Sequence, residues 1–316
     1  MTQGNDHSFA DLLQKYGLSV AFFIICAVIS LLSPAFLTVP NIVNVLRQIS
    51  INAILAIGVT YVILTGGIDL SLGSIVAITG VLAATFAHPD THPLIVPLLI
   101  GVSGGILIGV FNGLVITRFK VAPFIATLGM MTIARGGALI ISGGRPVSNL
   151  TDSFNFIGGG DLFGCPLPIL ILAGVFLFSY FILKNTTLGR YIYAVGGNEE
   201  AARASGINVT KTRITAYAIC SGLAGLAGII QASRITTGQP NAGISYELDA
   251  IAAVVIGGTS LAGGIGSVAG TVLGALIIGV INNGLDLLNV PSYYQQVVKG
   301  LIIIGAVILD REQGSK

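Results

Sequence analysis

The segment Lys184–Arg213, KNTTLGRYIYAVGGNEEAARASGINVTKTR, is a polar stretch of 30 residues between long apolar blocks. It contains five of the fifteen Lys and Arg residues of the chain. The whole chain is 53% hydrophobic and 9% charged, with a mean hydropathy of +0.91, whereas a soluble domain carries roughly 25% charged residues. The composition therefore predicts a polytopic membrane protein, in which this segment is an aqueous loop and a docking surface for a cytoplasmic partner.

Apolar stretches on both sides of this loop are candidate membrane spans, because a span needs about 20 mostly apolar residues. The ten stretches are 16–32, 49–64, 70–87, 94–116, 123–141, 168–183, 214–232, 248–263, 268–288 and 293–309. Several are short or interrupted by glycine, which leaves a count of eight to eleven open. The predicted fold is all-α, with one transmembrane domain at 16–310 between cytoplasmic tails at 1–15 and 311–316.

The orientation in the membrane follows from the basic residues, which accumulate on the cytoplasmic side. With a cytoplasmic N-terminus, ten of the fifteen Lys and Arg residues lie inside, and an even number of spans places the C-terminus there too. The net charge of +2 is too small and too dispersed to indicate nucleic-acid binding.

Two parts of the chain resemble each other in register. The segment Asp69–Gly80 (DLSLGSIVAITG) aligns with Glu247–Gly258 (ELDAIAAVVIGG), and GVFNGL at 109–114 resembles GVINNGL at 279–285. The match pairs spans two to five with spans seven to ten, and this odd offset turns the second copy upside down in the membrane. Inverted repeats around a mid-membrane path are typical of many transporters. The alternative is chance recurrence of small apolar residues.

The sequence shows no combination of nucleophile, base and orienting group that would indicate an enzyme. It also has no phosphate-binding loop of the Walker type, because no Gly-Lys pair occurs in it. Cysteine and histidine are few and lack ligand spacing, so no metal site is predicted. The energy for any active transport must therefore come from an ion gradient or from another polypeptide.

Polar residues inside or at the ends of spans are the candidates for a substrate path. A neutral polar substrate would need amide and hydroxyl groups near mid-membrane, and the candidates are Asn52, Thr60, Asn112, Asn282 and Asn283. Hydrogen bonding between helices is an equally good reading of these residues. Acidic and hydroxyl residues that begin spans three and eight are predicted helix caps, with substrate contact or gating as the alternative: Asp69, Ser71, Glu247 and Asp249. For Arg135 and Lys299, snorkelling to the outer face and pairing of Lys299 with Asp286 both stay open.

Within the charged loop, Glu199–Ala204 is a short run of good helix formers. Asn198 is its predicted N-cap, the two glutamates suit the positive end of the helix dipole, and Gly206 ends the helix. A short amphipathic helix parallel to the membrane can sit in a groove of another protein. The alternative is a solvated loop that merely joins two spans.

Several short sequence segments resemble those of a known family. They are LGRYIYAVGGNEEAARASGINV at 188–209, YELDAIAAVVIGGTSLAGG at 246–264, GGIDLSLGS at 66–74 and NNGLDLLNVPSYYQ at 282–295. These segments resemble the permease subunits of bacterial ABC importers, in particular the monosaccharide branch. In such permeases a cytoplasmic loop presses a short coupling helix into the ATPase subunit. The loop departs from the commoner permease pattern because it lacks the downstream Leu-Pro ending.

The resemblance implies a ten-span fold similar to that of the cobalamin-importer permease, in the bacterial inner membrane. It implies a homodimer, a cytoplasmic ATPase that uses ATP and Mg, a periplasmic or lipid-anchored sugar-binding protein and a sugar substrate, with no cofactor bound by this chain. The coupling surface would consist of Asn198, Glu199, Glu200, Ala201, Ala202, Arg203, Gly206 and Ile207. The rival functions are an ion-coupled secondary carrier, a passive channel and a membrane scaffold, and the same importer type could serve another monosaccharide.

Overall fold

The computed structural model describes residues 9–89 and 92–314. Its helices and its one short hairpin are α1 (Phe9–Leu32), α2 (Val39–Leu64), α3 (Leu72–Phe86), α4 (Ile95–Arg118), α5 (Pro123–Ser142), α6 (Asp152–Gly159), β1 (Asp161–Leu162), β2 (Cys165–Pro166), α7 (Leu167–Asn185), α8 (Thr187–Gly197), α9 (Glu199–Ala204), α10 (Val209–Arg234), α11 (Tyr246–Ile256), α12 (Val268–Leu287) and α13 (Ser292–Gly314). The described part is thus all-α apart from the antiparallel hairpin β1–β2.

Six of these helices are long and apolar enough to cross a membrane: α2, α4, α5, α7, α10 and α12. The segment Gly17–Leu32 of α1 and the whole of α3 are shorter apolar helices. Every predicted span overlaps one helix, in the order α1 to α5, α7 and α10 to α13. The prediction of a polytopic all-α membrane protein is therefore confirmed.

Several helix ends differ from the predicted ones. Helix α2 begins ten residues before the predicted span, because Pro40 suits the first turn of a helix. Helix α11 ends at Ile256 instead of 263, because Gly257 and Gly258 turn the chain, the latter at φ +82°. Helix α1 already begins at Phe9, inside the predicted tail. Residues 1–8 and 315–316 of the predicted tails lie outside the described residues.

Each half of the chain contributes one helix to the packing of the other half. Helix α10 packs against α3 and α4, whereas α2 packs against α11 and α12. The contacts α3–α4 and α3–α5 in the first half correspond to α11–α12 and α11–α13 in the second. Helices α2 and α10 consequently form the centre of the fold, and most of the fully buried side chains lie on them.

The interface between α4 and α10 is close because glycines line it. A Cβ added at Gly105 would lie 2.3 Å from the carbonyl oxygen of Ser221, and one at Gly109 the same distance from that of Tyr217. Small residues let helix backbones approach each other where lipid supplies no hydrophobic drive. In contrast, α5 and α7 expose large apolar side chains such as Phe124, as lipid-facing helices do.

The short helices α3 and α11 begin next to each other inside the protein. The backbones of Gly73, in the first turn of α3, and Gly243, just before α11, are in direct contact, and a Cβ at Gly73 would lie 2.0 Å from the carbonyl oxygen of Gly243. Gly243 itself has a φ of +71°, which is a backbone conformation that suits glycine. This junction brings the start of each short helix to the same level of the structure.

Candidate coupling loop and substrate path

Helix α9 forms where the sequence predicts it. The Asn198 side-chain oxygen accepts a hydrogen bond from the Ala201 amide at 2.9 Å and caps the helix. At the other end, Gly206 adopts φ +82°, and the amide of Ile207 bonds to the carbonyl of Ala202 at 3.1 Å. The predicted N-cap and the predicted stop are both confirmed.

Glu199 fastens α9 to the beginning of α10. Its carboxylate accepts hydrogen bonds from Arg203, one turn later, and from Arg213 on α10, each at 2.8 Å. Partial burial raises the pKa of Glu199, but the hydrogen bonds and positive charges of the two arginines outweigh it, so this pKa lies below the ordinary value. A buried apolar contact of Val195, Ala202 and Val209 also holds α9 against α8 and α10.

The predicted coupling residues divide into two groups. Ala202 is buried against the protein's own surface, while Glu199 is half-buried and bound to its arginines. The exposed members are Asn198, Glu200, Ala201, Arg203 and Gly206. Ile207 lies between the two groups in exposure. A partner that docks on α9 would therefore meet mainly this exposed group.

A cavity of about 500 Å³ opens beside α9. Its walls come from the end of α2, the turn between α4 and α5, helix α9 and the start of α10. Lys120, Arg203 and Arg213 line it together with the one carboxylate of Glu199. The surface around α9 is therefore basic and recessed.

Helix α8 was missed by the sequence analysis, which treated 184–198 as loop. Thr186 caps it by accepting a hydrogen bond from the Gly189 amide, and Ile192 is fully buried. The signal was present, since a Thr cap precedes an alternation of polar and apolar residues with helical spacing. The last turn of α8, which precedes α9, contacts the end of α2 and the turn between α11 and α12.

The five polar residues predicted for a substrate path are engaged in contacts between helices or buried within them. The Thr60 hydroxyl lies 2.8 Å from that of Thr271, and Asn52 is buried within α2. Asn283 exchanges two side-chain hydrogen bonds with Asn41, at 2.9 and 3.1 Å. The structure brings none of these three to the described cavities.

Asn112 and Asn282 make equivalent contacts in the two halves. The Asn112 amide on α4 donates to the hydroxyl of Ser71 at 3.2 Å. The Asn282 amide on α12 donates to the carboxylate of Asp249 at 3.4 Å. In the alignment of Asp69 with Glu247, Ser71 and Asp249 occupy the same position, two residues further on. The two asparagines therefore hold the starts of α3 and α11 in the same way.

The residues predicted as helix caps lie at the expected helix starts but make different bonds. Ser71 stands at the N-cap position of α3, yet its side chain makes no bond to the helix amides. It donates instead to Asp69, whose carboxylate also accepts the Ser71 amide at 2.9 Å. Glu247 and Asp249 lie inside the first turn of α11, after the cap residue Ser245.

Charged residues within the predicted spans have partners that the sequence analysis did not name. Lys299 on α13 binds Asp249 at 2.9 Å, so the alternative pairing with Asp286 is wrong; Asp286 accepts a bond from Gln295 instead. The Arg135 guanidinium on α5 donates to the carbonyls of Pro240 and Ala242, both at 2.7 Å.

Two cavities open on the face formed by α5, α11 and α13. One of about 490 Å³ contains Ser74, Thr132, Arg135 and Glu247 among its lining residues. The other, of about 390 Å³, is lined in part by Gln295, Gln296 and Lys299. Ile244 lines both cavities, so they flank the same loop before α11. Among the residues described, no group of three His, Cys, Asp or Glu side chains could hold a metal ion.

This arrangement of apolar helices with a structured polar loop is consistent with a polytopic membrane permease. Residues 41–307 match the family described as branched-chain amino acid transport system / permease component, and the chain belongs to this family. The chain is a transport subunit, as the resemblance of its sequence segments predicted.

Individual relatives make the comparison more specific. The ribose import permease protein of Haemophilus influenzae is 48% identical over 302 residues, which cover 94% of this chain and 93% of that protein. The ribose import permease protein of Bacillus subtilis is 47% identical over 309 residues, 97% of this chain and 96% of its own. The L-arabinose transport system permease protein of Escherichia coli is 40% identical, over 96% of this chain and 92% of its own. No solved structure matches the chain.

Proposed function

We propose that this chain is the membrane-spanning permease of an ATP-driven, binding-protein-dependent importer of a monosaccharide, with ribose as the favoured sugar. The observation that carries the proposal is α9, a capped helix whose outer residues are exposed and whose base is fastened by Glu199 to α10. A separate ATPase, which uses ATP and Mg, docks there. A periplasmic or lipid-anchored sugar-binding protein delivers the sugar from the other side.

The preference for ribose rests on the relatives. Those named for ribose import share 47 to 48% of their residues with this chain, and one named for L-arabinose shares 40%. Much of the selectivity of such an importer belongs to its binding protein, which leaves another monosaccharide as the alternative substrate.

The proposed topology has ten spans with both termini in the cytoplasm. Adding α1, α3, α11 and α13 to the six long apolar helices gives this number. The exchanged packing of α2 and α10 supports the inverted repeat, because the main contacts of α2–α5 correspond to those of α10–α13. Inverted repeats with interrupted helices are typical of many transporters, and the family resemblance implies a fold similar to that of the cobalamin-importer permease.

Two copies of the chain form the path for the sugar. The face of α5, α11 and α13 carries the charged side chains of Arg135, Glu247 and Lys299 around open cavities. Charged groups inside a membrane face protein or water and not lipid. A second copy that covers this face would satisfy that requirement, and the polar groups left between the copies suit a neutral polyol.

The buried polar residues keep a role at the edge of this path. Asn112 and Asn282 hold the starts of α3 and α11, at which Asp69, Ser71, Glu247 and Asp249 lie, so they set its shape when the permease changes its open side. Asn52, Thr60 and Asn283 are proposed to do the same for the packing of α2 against α12.

The test is reconstitution of the permease with its ATPase and binding protein in vesicles. Glu200→Lys reverses the charge of an exposed residue of α9 and should abolish ATP-driven sugar uptake while the protein stays folded in the membrane. Asp152→Lys reverses the charge of an exposed residue at the start of α6. It is the control, because it makes the same kind of surface change away from α9. Full uptake by Glu200→Lys would remove the coupling role of α9. Loss of wild-type uptake on collapse of the ion gradient, with ATP intact, would favour a secondary carrier.

A further inference from the structure

The last turn of α8 lies against two other segments with no side chain between them. A Cβ added at Gly196 would lie 1.8 Å from the carbonyl oxygen of Leu64 and 2.6 Å from the amide nitrogen of Gly264. The Gly264 amide itself donates to that same Leu64 carbonyl at 3.0 Å. Leu64 is the last residue of α2, and Gly264 belongs to the turn between α11 and α12.

The turn between α11 and α12 is shaped to make this contact. Gly263 and Gly264 have φ values of +91° and +74°, which side chains with a Cβ rarely adopt. A Cβ at Gly264 would also lie 2.7 Å from the backbone of Gly197. A hydrogen bond also ties α8 to this turn, since the Tyr193 hydroxyl on α8 donates to the Gly266 carbonyl at 2.9 Å.

We call the contact of Gly196, Gly197, Gly263 and Gly264 the glycine joint. Side chains at an ordinary interface can change rotamer and absorb a displacement, but a contact between backbones cannot. A single residue, Asn198, separates the joint from α9. A displacement of α9 therefore has to move the end of α2 and the turn before α12, or break the joint.

We propose that the glycine joint transmits the movement of the docked coupling helix to the membrane domain. This inference rests on the proposed docking of an ATPase at α9. Helices α2 and α11 can pass this movement on to the rest of the membrane domain. Helix α2 packs against both α11 and α12, and α11 is 11 residues long, about 16 Å. Its far end carries Glu247 and Asp249, at the junction with α3. The joint thus links α9 to the side chains of the proposed sugar path.

Two adjacent glycines provide a matched pair of variants. Gly196→Ala inserts a methyl group into the joint. Gly197 contributes only its backbone to the joint, because a Cβ added at Gly197 meets no described atom within 4 Å. Both changes make the same gain in helix propensity. Each variant is reconstituted with the ATPase and the binding protein, and three quantities are measured: ATPase captured by the permease, ATP hydrolysed and sugar taken up.

The expected result is that Gly197→Ala stays within twofold of the wild type in all three. Gly196→Ala should capture ATPase and hydrolyse ATP normally, while the sugar moved per ATP falls at least tenfold. Uptake by Gly196→Ala within twofold of the wild type would overturn the proposal. Loss of ATPase capture together with uptake would also overturn it, because the joint would then only position the docking surface.

A second variant decides the matter if Gly196→Ala does not reach the membrane. Tyr193→Phe keeps the packing of α8 and removes only the hydrogen bond to Gly266. A fall of at least threefold in sugar moved per ATP, with normal ATPase capture, supports transmission through the joint, and an unchanged ratio overturns it. Absence of ATP-driven uptake in the wild type would refute the proposed function and the joint with it.

Discussion

Removal of Lys299 should destabilise the protein through the carboxylate that it leaves behind. The Lys299 ammonium lies 2.9 Å from Asp249, whose side chain is 6% exposed, while that of Lys299 is 24% exposed. In Lys299→Met, the partner of Asp249 among the side chains described is the Asn282 amide at 3.4 Å. Breaking a buried ion pair costs about 3 to 5 kcal/mol. Because Lys299 keeps some solvent contact, we expect the lower end, about 3 kcal/mol.

The magnitude converts into a measurable shift. At about 2 to 4 °C per kcal/mol, the melting temperature of Lys299→Met should fall by roughly 6 to 12 °C. The double variant Asp249→Asn/Lys299→Met removes the charge together with its partner and should recover most of the loss. The chain has no tryptophan, so far-ultraviolet circular dichroism in detergent is the suitable probe of this helical protein.

The control is Lys184→Met, the same substitution at a lysine exposed on α7 and hydrogen-bonded only to Tyr180 among the described side chains. Its melting temperature should equal that of the wild type. The reasoning fails if Lys299→Met melts with the wild type. It also fails if the double variant melts below the single one, since the unpaired carboxylate would then not be the cause.

Three further changes test separate parts of the structure. Gly105→Ala places a methyl group 2.3 Å from the Ser221 carbonyl oxygen and should cost about 1 to 3 kcal/mol in thermal unfolding, whereas Gly104→Ala, whose Cβ would have its nearest contact at 3.6 Å, should cost nothing. Arg135→Met leaves two loop carbonyls without their donor, so hydrogen exchange of residues 235–245 should become faster, and exchange at the wild-type rate would contradict the contact. Glu199→Gln removes a charge that stabilises α9 by about 0.5 kcal/mol, a value reduced for its partial exposure to solvent. Since the folded pKa of Glu199 is lowered, its contribution is present above the unfolded pKa of about 4.3 and is lost as the pH falls through the folded pKa. Wild type and Glu199→Gln should thus differ in exchange protection at neutral pH and converge once the pH has fallen below the folded pKa of Glu199.

Composition and local signals predict much of the fold. Apolar length identifies every span-sized helix, because lipid requires the backbone to bond within its own segment. Asn198 and Gly206 define α9 through bonds between near neighbours in sequence. Helix ends at glycine were harder to predict: Gly257 could have continued α11, and only the φ of Gly258 shows that the chain turns.

The partners of the buried polar residues depend on how the helices pack, which is a long-range property. The sequence places Lys299 near Asp286, because the two are close along the chain. The structure pairs Lys299 with Asp249, 50 residues away, because α13 packs against α11. The alignment of the two halves contained part of this information, since it put Ser71 and Asp249 in one register. The alignment does not predict which asparagine will bond to Ser71 or to Asp249.

The exchange of α2 and α10 between the halves has a consequence for biosynthesis. The neighbours of α2 within the second half, α11 and α12, are made only after more than 180 further residues have left the ribosome, counted from the end of α2 at Leu64 to the start of α11 at Tyr246. Until α11 and α12 have been made, they cannot bury the polar residues Asn52 and Thr60 of α2, which are buried in the complete fold. A nascent chain stopped before α11 should consequently be a good substrate for membrane quality control, and an insertase or chaperone that shields α2 would raise the yield of the finished protein.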